Sequence, residues 1–491
     1  MKPINTQHYQ YAKTLERWQY IDRVCSGVDV KQYIRKLNAT DISTEMENRR
    51  KEYADAAIFS RIAGRTAKGM VGMVFSKDPI LSVPAALDYI KQNVDGAGVS
   101  IYQQSQHVLG AIVRKGRAGL MVDYPITEGA TSVADMTAGK VFATIQRFEP
   151  EQIINWRLIP NGAQMKLGRV VISDSYENED GDEVGIIREL LIEDGIYISR
   201  EYRQDDKGEW LVFTESYPRD GHGNQWTEIP FMFIGSETNT PAIDEQPMYD
   251  LCDINIGHYN NSAAYEDSAF MLGQPQPWMS GIDSQYMKMF NDEKMYIGCG
   301  RLIGVPANQQ LNFAQVQPNS LAREAMKDKE ALMISMGAML LEPGSAAKTA
   351  TQARGEQVVQ HSILSLAASN VSEAYTRCLQ WMAQYMAIDI EDDGVEHTLS
   401  KDFVEVNVSA EALRDIVASW QAGATPYSDL VAWQQKRGII DAEKTLEDVQ
   451  EEVGANNLAM PDLDGGEGEG AGGNGEEVET NETANTSGEA V

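Results

Sequence analysis

The sequence predicts an α+β fold, in which helical segments flank a central antiparallel β region. Three observations support this. From about Phe142 to Ile234 apolar residues alternate with period two, in runs such as FATIQRFE and RVVISDSYE. Clusters of Gly, Asp and Asn separate those runs, as expected for hairpin turns. Residues 1 to about 80, and the segments after Pro247, instead repeat their apolar residues at helical spacing.

The N-terminal region is predicted to be mainly helical. Ala56, Phe59 and Ile62 recur at helical spacing and indicate one helix across these positions, which ends at VFSKDPI. A second helical stretch is predicted from about Pro84 to Val113, interrupted by the glycines of DGAG. The run AGLMVDYP that follows is typical of a buried strand and a turn.

Three long helices are predicted after Pro247, with a small β-containing insert between the first two. The apolar face of the first helix is traced by Cys252, Ile256, Tyr259, Ala263 and Phe270. That of the second is traced by Ala322, Met326, Met333, Met336 and Leu340. That of the third is traced by Leu364, Ala367, Val371, Ala374, Cys378, Met382 and Tyr385.

The charge balance is strongly acidic. The 491 residues include 73 Asp and Glu against 42 Lys and Arg, a net charge of −31. This argues against a protein that wraps nucleic acid, because duplex binding depends on cationic contacts to phosphate. It is compatible with a protein that lets DNA slide past without adhering, and equally with a need for solubility alone.

The cysteines and the N-terminus indicate a cytoplasmic origin. Cys25, Cys252, Cys299 and Cys378 form no CxxC pair, so neither a disulfide framework nor a zinc site is predicted. The first residues have no apolar core typical of a signal peptide. No stretch approaches the roughly 20 apolar residues that a membrane span requires.

No local pattern indicates catalysis. The six histidines form no HExxH or HxH arrangement, and neither a GxSxG nor a GxxxxGK[ST] motif is present. The stretch RKGRAGLMV at 114–122 could cradle a phosphate, but we interpret it as a turn between a helix and a strand. Acidic pairs such as Asp205–Asp206 are interpreted as solvated loops. We therefore expect no enzymatic activity, no cofactor and no metal site.

Seven stretches of sequence, in their order along the chain, carry a family resemblance. They are ERWQYIDRVCSG, YADAAIFSRIAGRTAKGMVGMVFSKDP (53–79), RKGRAGLMVDYP (114–125), FEPEQIINWRL (148–158), PMYDLCDINIGHYNNSAAYEDSAFMLGQPQPWMSG (247–281), EAMKDKEALMISMGAMLLEP and KTATQARGEQ. Together they resemble the portal proteins of tailed phages, which form the ring that connects head and tail. The resemblance extends to about residue 455, its most specific part is 247–281, and none of its motifs is catalytic.

The resemblance implies a division of the chain into named regions. They are a wing (1–246, with β structure at about 142–234), a first stem helix (247–272), a clip (273–318), a second stem helix (319–341), a tunnel loop (342–350), a long wing helix and linker (351–401), a helical crown (402–458) and a disordered acidic Gly/Glu-rich tail (459–491).

The tunnel loop and second stem helix supply the candidate DNA contacts. The loop is predicted to project toward DNA, and its small residues suit a constriction; it contains Glu342, Pro343, Gly344, Ser345, Ala346 and Ala347. Its one cation, Lys348, is a candidate for transient contact with phosphate, as are Arg323, Lys327 and Lys329. Ordinary surface charge or pairing between subunits is the alternative for all four, because acidic residues neighbour them.

The implied function is a ring at one capsid vertex, a dodecamer by family, through which a terminase motor packages DNA that is later ejected. Its implied partners are the terminase large subunit, head–tail adaptors, the major capsid and scaffolding proteins, and double-stranded DNA bound without sequence specificity. The implied location is the virion, and the host cytoplasm during assembly.

Two other classes remain open. Another head–tail connector or an assembly scaffold component is one, although adaptors are usually shorter and lack the helix order of 247–388. A hydrolase built on acidic loops is the other, and an activity screen with and without divalent metal would detect it.

Overall fold

The computed structural model describes most of the chain. The described residues are 3–124, 141–178, 180–273, 276–280, 283–285, 287–288, 310–314, 320–339, 363–389, 394–401, 419, 426–435 and 444–449. Two compact units, residues 1–403 and 404–491, make up the chain. The predicted tunnel loop with Lys348, most of the predicted clip, the start of the third long helix and the predicted acidic tail lie outside the described residues.

Four helices form the N-terminal part of the first unit: α1 (Tyr9–Ser26), α2 (Thr44–Ala56), α3 (Ile62–Val74) and α4 (Ile101–Lys115). Ser43 and Ser100 precede α2 and α4, and each hydroxyl accepts a hydrogen bond from the backbone N–H three residues on. Gly27 and Gly116 end α1 and α4 at φ of 79° and 73°, a left-handed conformation that glycine adopts without steric cost.

The prediction of one helix across Ala56, Phe59 and Ile62 is wrong. α2 ends at Ala56, α3 begins at Ile62, and the residues between them are not helical. Backbone groups at Ile58 and Ser60 bond to side chains of a helix about 200 residues away instead of to the next helical turn. Because these partners are distant in sequence, the residues from Ala56 to Ile62 alone do not predict the break.

The predicted buried strand is confirmed as β2 (Arg117–Asp123), in which Asp123 alone is exposed. It lies between β3 (Thr144–Phe148) and β9 (Phe231–Gly235), antiparallel to both. At its centre, a Cβ on Gly119 would lie 2.6 Å from the Phe231 ring, so the absence of a side chain lets the ring pack on the strand. This three-stranded sheet lies in the core of the first unit.

The predicted antiparallel β region is also confirmed, but it divides into two sheets. Five strands pair consecutively: β4 (Ile153–Asn161), β5 (Gln164–Glu177), β6 (Glu183–Glu193), β7 (Ile196–Gln204) and β8 (Trp210–Ser216). β3 and β9 bound the predicted range at its two ends and pair with β2 instead. Alternation alone does not report which strands share a sheet. A separate antiparallel pair joins β1 (Ile80–Ser82) to β12 (Glu396–Thr398).

Three long helices follow, as predicted: α5 (Tyr249–Gly273), α6 (Leu321–Met339) and α7 (Ile363–Tyr385). Between α5 and α6, β10 (Gln276–Met279) pairs antiparallel with β11 (Leu311–Ala314). The predicted face of α7 is buried throughout. On α5 the predicted face is buried as far as Ala263, but Phe270 is 63% exposed, because the helix continues past the packed core. Phe270 therefore lies on the predicted apolar face, beyond the part of that face that the first unit buries.

The second unit is described over a few short segments. Helix α8 (Tyr427–Gln435) forms within the predicted helical stretch TPYSDLVAWQQKRG. Leu430 and Val431 on α8 are buried, and so is Val449. These three are the buried apolar residues among the described part of the second unit.

One buried histidine makes the stability of the first unit depend on pH. His397, in β12, is 1% exposed and packs on the Tyr375 ring with centroids 4.9 Å apart. Neither ring nitrogen hydrogen-bonds to any described residue. Burial lowers the pKa of His397 to about 4, because its charged form loses hydration without gaining a partner.

The free energy of unfolding should therefore fall in mild acid. Between about pH 6.5 and pH 4, His397 is protonated in the unfolded chain but stays neutral in the folded chain. The cost at pH 4 is about 3 kcal/mol. Urea unfolding at pH 7 and pH 4.5 should show a smaller loss in His397→Phe than in the unsubstituted chain. His222→Phe, at an exposed histidine, is the control. Equal losses in all three chains would contradict this account.

Candidate functional site

The candidate site is built around α5, whose buried polar residues hold the N-terminal helices. Asn255 is fully buried. Its side-chain oxygen accepts a hydrogen bond from Ala63 N–H at 3.0 Å, and its amide donates to the Ser60 carbonyl at 2.8 Å. Arg61, the residue before α3, provides no side-chain cap. Asn255 therefore caps α3 from another helix, satisfying a first-turn N–H that otherwise lacks a partner.

Ser262 and Asn260 continue the same role along α5. The Ser262 hydroxyl accepts from Ile58 N–H at 3.1 Å, within the break between α2 and α3. The Asn260 oxygen accepts from Arg35 N–H at 2.8 Å, and its amide donates to the Tyr33 carbonyl at 3.1 Å. Side chains of α5 thus form hydrogen bonds with the backbone of the segments before α2 and between α2 and α3. These bonds hold the two segments in place.

An ion pair ties α2 to the later part of α5. Nη2 of Arg49 lies 2.6 and 2.7 Å from the two carboxylate oxygens of Asp267. The guanidinium is a third exposed and the carboxylate less so, so the pair is only partly screened by water. It fixes the orientation of α2 on α5.

α6 packs along α5 through contacts at three adjacent positions. His258, 2% exposed, places Nε2 at 3.1 Å from a carboxylate oxygen of Glu330. Gly257 leaves space for the Lys329 side chain, whose Cε would lie 3.0 Å from a Cβ at that glycine. Met333 is completely buried. The two helices are therefore joined by polar and apolar contacts together, with the insert leaving from one end of the pair.

The candidate cations fall on different sides of α6. Arg323 and Lys327 are exposed, whereas Lys329 is half-buried and lies over Gly257. A spacing of four residues puts Arg323 and Lys327 on one face. Lys329 lies about 140° around the helix from that face. Lys348 and the loop residues Glu342 to Ala347 lie outside the described residues.

The α5–α6 pair also exposes apolar side chains. Phe270 on α5 is 63% exposed, and Leu332 and Ile334 on α6 are 48% and 71% exposed. Leu321, the first residue of α6, and Trp278 in β10 are also exposed. Leu321 and Leu332, eleven residues apart, share one face of α6, whereas Ile334 lies about 160° around the helix from Leu332. The exposed apolar side chains of α6 therefore lie on two faces of the helix.

α7 anchors the end of the first unit to the three-stranded sheet and to α4. The amide of Asn370 donates to the Gly235 carbonyl at 2.9 Å, at the end of β9. The hydroxyl of Tyr375 donates to the side-chain oxygen of Gln104 at 3.0 Å. Since both contacts are buried, α7 is held against the body of the unit at two separate points.

The basic stretch at 114–122 is a structural turn, as interpreted from the sequence. Lys115 is 3% exposed and its Nζ lies 2.5 Å from Asp22, 2.8 Å from Glu151 and 3.4 Å from Glu149. Burial alone would lower the pKa of Lys115, but these carboxylates outweigh burial and raise it. Gly116 then turns the chain into β2. The cation is fully engaged by acidic side chains and is not available to a phosphate.

No group of three or more His, Cys, Asp or Glu side chains is arranged to hold a metal ion within the part of the chain that the structure describes. Within those same residues, none of the helices has both the length and the apolar character required to cross a membrane.

Comparison with known proteins identifies relatives of limited similarity. Residues 247–386 match a family model described as a domain of unknown function, DUF4055. Comparison with curated proteins finds no match. Among solved structures, the chain is similar to one from "Neck of empty GTA particle computed with C6 symmetry", at 15% identity and a TM-score of 0.37, covering 77% of this chain and 88% of that one. Similarity at this level establishes neither the fold nor the function of this chain.

The matched range 247–386 nevertheless spans α5, α6 and α7 together with their connections. The polar residues of α5 lie inside it, although the sequence drew attention only to the apolar face of that helix. Asn255, His258 and Ser262 recur at spacings of three and four beside that face. In the sequence, this row of polar residues beside an apolar face indicates a helix whose side chains hydrogen-bond to other segments.

Loss of the Asn255 side chain should strongly destabilise the first unit. Asn255→Ala leaves the buried Ala63 N–H without a partner, whereas the Ser60 carbonyl still accepts from Ile62 N–H, and the cost is about 1–3 kcal/mol. Asn261→Ala is the matched control on the same helix, since the Asn261 amide bonds to no described side chain or backbone group. Chemical denaturation should show a large loss for the first variant and little change for the second. Equal effects would contradict the capping role.

Proposed function

We propose that this chain is the subunit of a phage portal: a closed ring at one capsid vertex through which DNA is packaged and later ejected. The observation that carries the proposal is the α5–α6 pair, two long helices that pack on each other and expose apolar side chains. The insert between them contains the β10–β11 pair. The proposal assigns α5, the insert and α6 to the stem, clip and stem that the sequence resemblance implies.

The dimensions and chemistry of the helix pair support a ring subunit. α5 has 25 residues and is therefore about 37 Å long. Covering an exposed Leu, Ile or Phe contributes roughly 1.5–3 kcal/mol per side chain. A neighbouring subunit that contacts a different face of this one makes a head-to-tail interface, and rotation then closes the chain of subunits into a ring.

The charge of the chain supports passage of DNA in preference to binding. With a net charge of −31, the average surface repels phosphate. Arg323 and Lys327, exposed on one face of α6, and Lys348 in the predicted tunnel loop are the residues proposed to touch DNA transiently. The proposal includes the terminase large subunit, head–tail adaptors, and capsid and scaffolding proteins as partners, and it assigns no catalytic role to the chain.

The ring interface is tested by placing a charge on it. Leu332→Glu should prevent ring closure, because Leu332 is exposed on the side of α6 opposite Arg323 and Lys327, and a carboxylate would be buried there where an apolar contact is required. Ile42→Glu is the matched control, since Ile42 is 94% exposed in the segment before α2. Light scattering and electron microscopy of the purified chains should show rings for the control and smaller species for Leu332→Glu. Rings formed equally by both variants would remove the support for this interface.

DNA passage is tested by reversing one charge on α6. Lys327→Glu should leave the ring intact and reduce the DNase-protected DNA per assembled head, because the exposed face of α6 becomes more acidic. Lys207→Glu, in the turn between β7 and β8, should leave the packaged DNA unchanged. Lys329→Glu should instead weaken the α5–α6 contact and lower thermal stability. Normal packaging with Lys327→Glu would place the DNA path elsewhere.

A further inference from the structure

We infer that Cys25 and Cys252 form a redox-convertible pair: both are thiols in the structure, and an oxidant joins them in a disulfide between α1 and α5. The two residues are 227 positions apart in sequence, yet their Sγ atoms lie 3.8 Å apart. Both cysteines are free. The sequence predicts no disulfide framework, and the structure contains none among the described cysteines, but the spacing in sequence does not report that these two thiols are close.

The surrounding backbone holds the two thiols in place. Cys25 is the penultimate residue of α1, and Cys252 lies in the first turn of α5. A Cβ at Gly64 would lie 2.2 Å from the Cys25 carbonyl oxygen, so α3 approaches the end of α1 as closely as backbone allows. A disulfide bond is about 2.05 Å long, so the sulfur atoms need to approach each other by less than about 2 Å in total.

The environment assigns different roles to the two thiols. Cys25 is partly exposed and Cys252 is fully buried, so a soluble oxidant reaches Cys25 first. The hydrogen bond with Cys252 lowers the pKa of the Cys25 thiol, burial acts against it, and nearby Arg114 and Lys115 lower the pKa further. The same hydrogen bond, together with burial, raises the pKa of Cys252. Cys25 is therefore the nucleophile and Cys252 is the resolving thiol.

The proposed oxidant is a small disulfide such as oxidised glutathione. The Cys25 thiolate attacks one sulfur of the oxidant, whose S–S bond breaks and releases one thiolate. Cys252 gives its proton to that leaving thiolate and attacks Cys25 Sγ, which expels the second thiolate and forms the bond between α1 and α5. Two protein thiols are oxidised, and one oxidant disulfide is reduced to two thiols.

The contacts around the pair favour a disulfide over a metal site. Asp22 and Asp253 lie near enough to influence the thiols electrostatically, but among the described residues no third ligand completes a metal-binding group. The cross-link would close a loop of more than 200 residues and so restrict the unfolded chain. It would also fix α5 to α1. If the proposed function holds, the thiols persist during assembly in a reducing cytoplasm, and the bond forms after release from the cell.

The test is oxidation of the purified full-length chain with oxidised glutathione, followed by intact mass and non-reducing peptide mapping. The expected product has lost the mass of two hydrogen atoms, contains a Cys25–Cys252 linked peptide, and has a higher Tm that a thiol reductant reverses. Cys25→Ser should abolish both the link and the shift in Tm. Cys378→Ser and Cys299→Ser should retain both.

Three results would overturn the inference: a persistent glutathione adduct on Cys25, a link that involves Cys299 or Cys378, or an oxidised chain with an unchanged or lower Tm. Peptide mapping of the unsubstituted chain gives the answer even where a variant fails to fold. Because the readout is a covalent bond within one chain, it does not depend on ring formation.

Discussion

The hydrogen bonds of Asn255 are the interaction on which the N-terminal half of the first unit depends. One buried amide caps α3 and satisfies the irregular backbone that precedes it, at a distance of about 190 residues in sequence. Ser262 and Asn260 extend the same arrangement to two further segments. Among these backbone groups Ala63 N–H is buried and would lose its partner without Asn255, so the start of α3 depends most directly on α5.

α5 makes different contacts on its two sides. One side is committed to the N-terminal helices through polar contacts that fix its position. The other side packs on α6 through His258 and Glu330 and through the space left at Gly257. The helix pair is therefore rigidly attached to the body of the unit while its exposed apolar residues remain available to a neighbour. A ring subunit requires this combination, since a channel wall must be firmly held and must also contact adjacent copies.

Much of the fold follows from the sequence, because it depends on local periodicity. The period-two strands of 142–234, the buried strand β2 and the buried face of α7 all appear where the pattern places them. The break after Ala56 and the exposure of Phe270 do not follow, because both depend on contacts or on their absence at long range. The same limit applies to the candidate site. Helical spacing places Lys329 beside Met326 and Met333 and places Lys327 on the face of Arg323, but the contact of Lys329 at Gly257 becomes evident only in the folded chain. Cys25 and Cys252 likewise meet only in the folded chain.

The central claim is that the α5–α6 pair lines a closed ring, and the most direct measurement is electron microscopy of the purified chain with its mass determined by light scattering. The account predicts rings with a central hole and a mass of about a dozen subunits, a count implied by the family resemblance, with α5 and α6 of neighbouring copies in contact. A compact monomer or dimer that persists when the chain is produced together with its scaffolding protein would contradict the account.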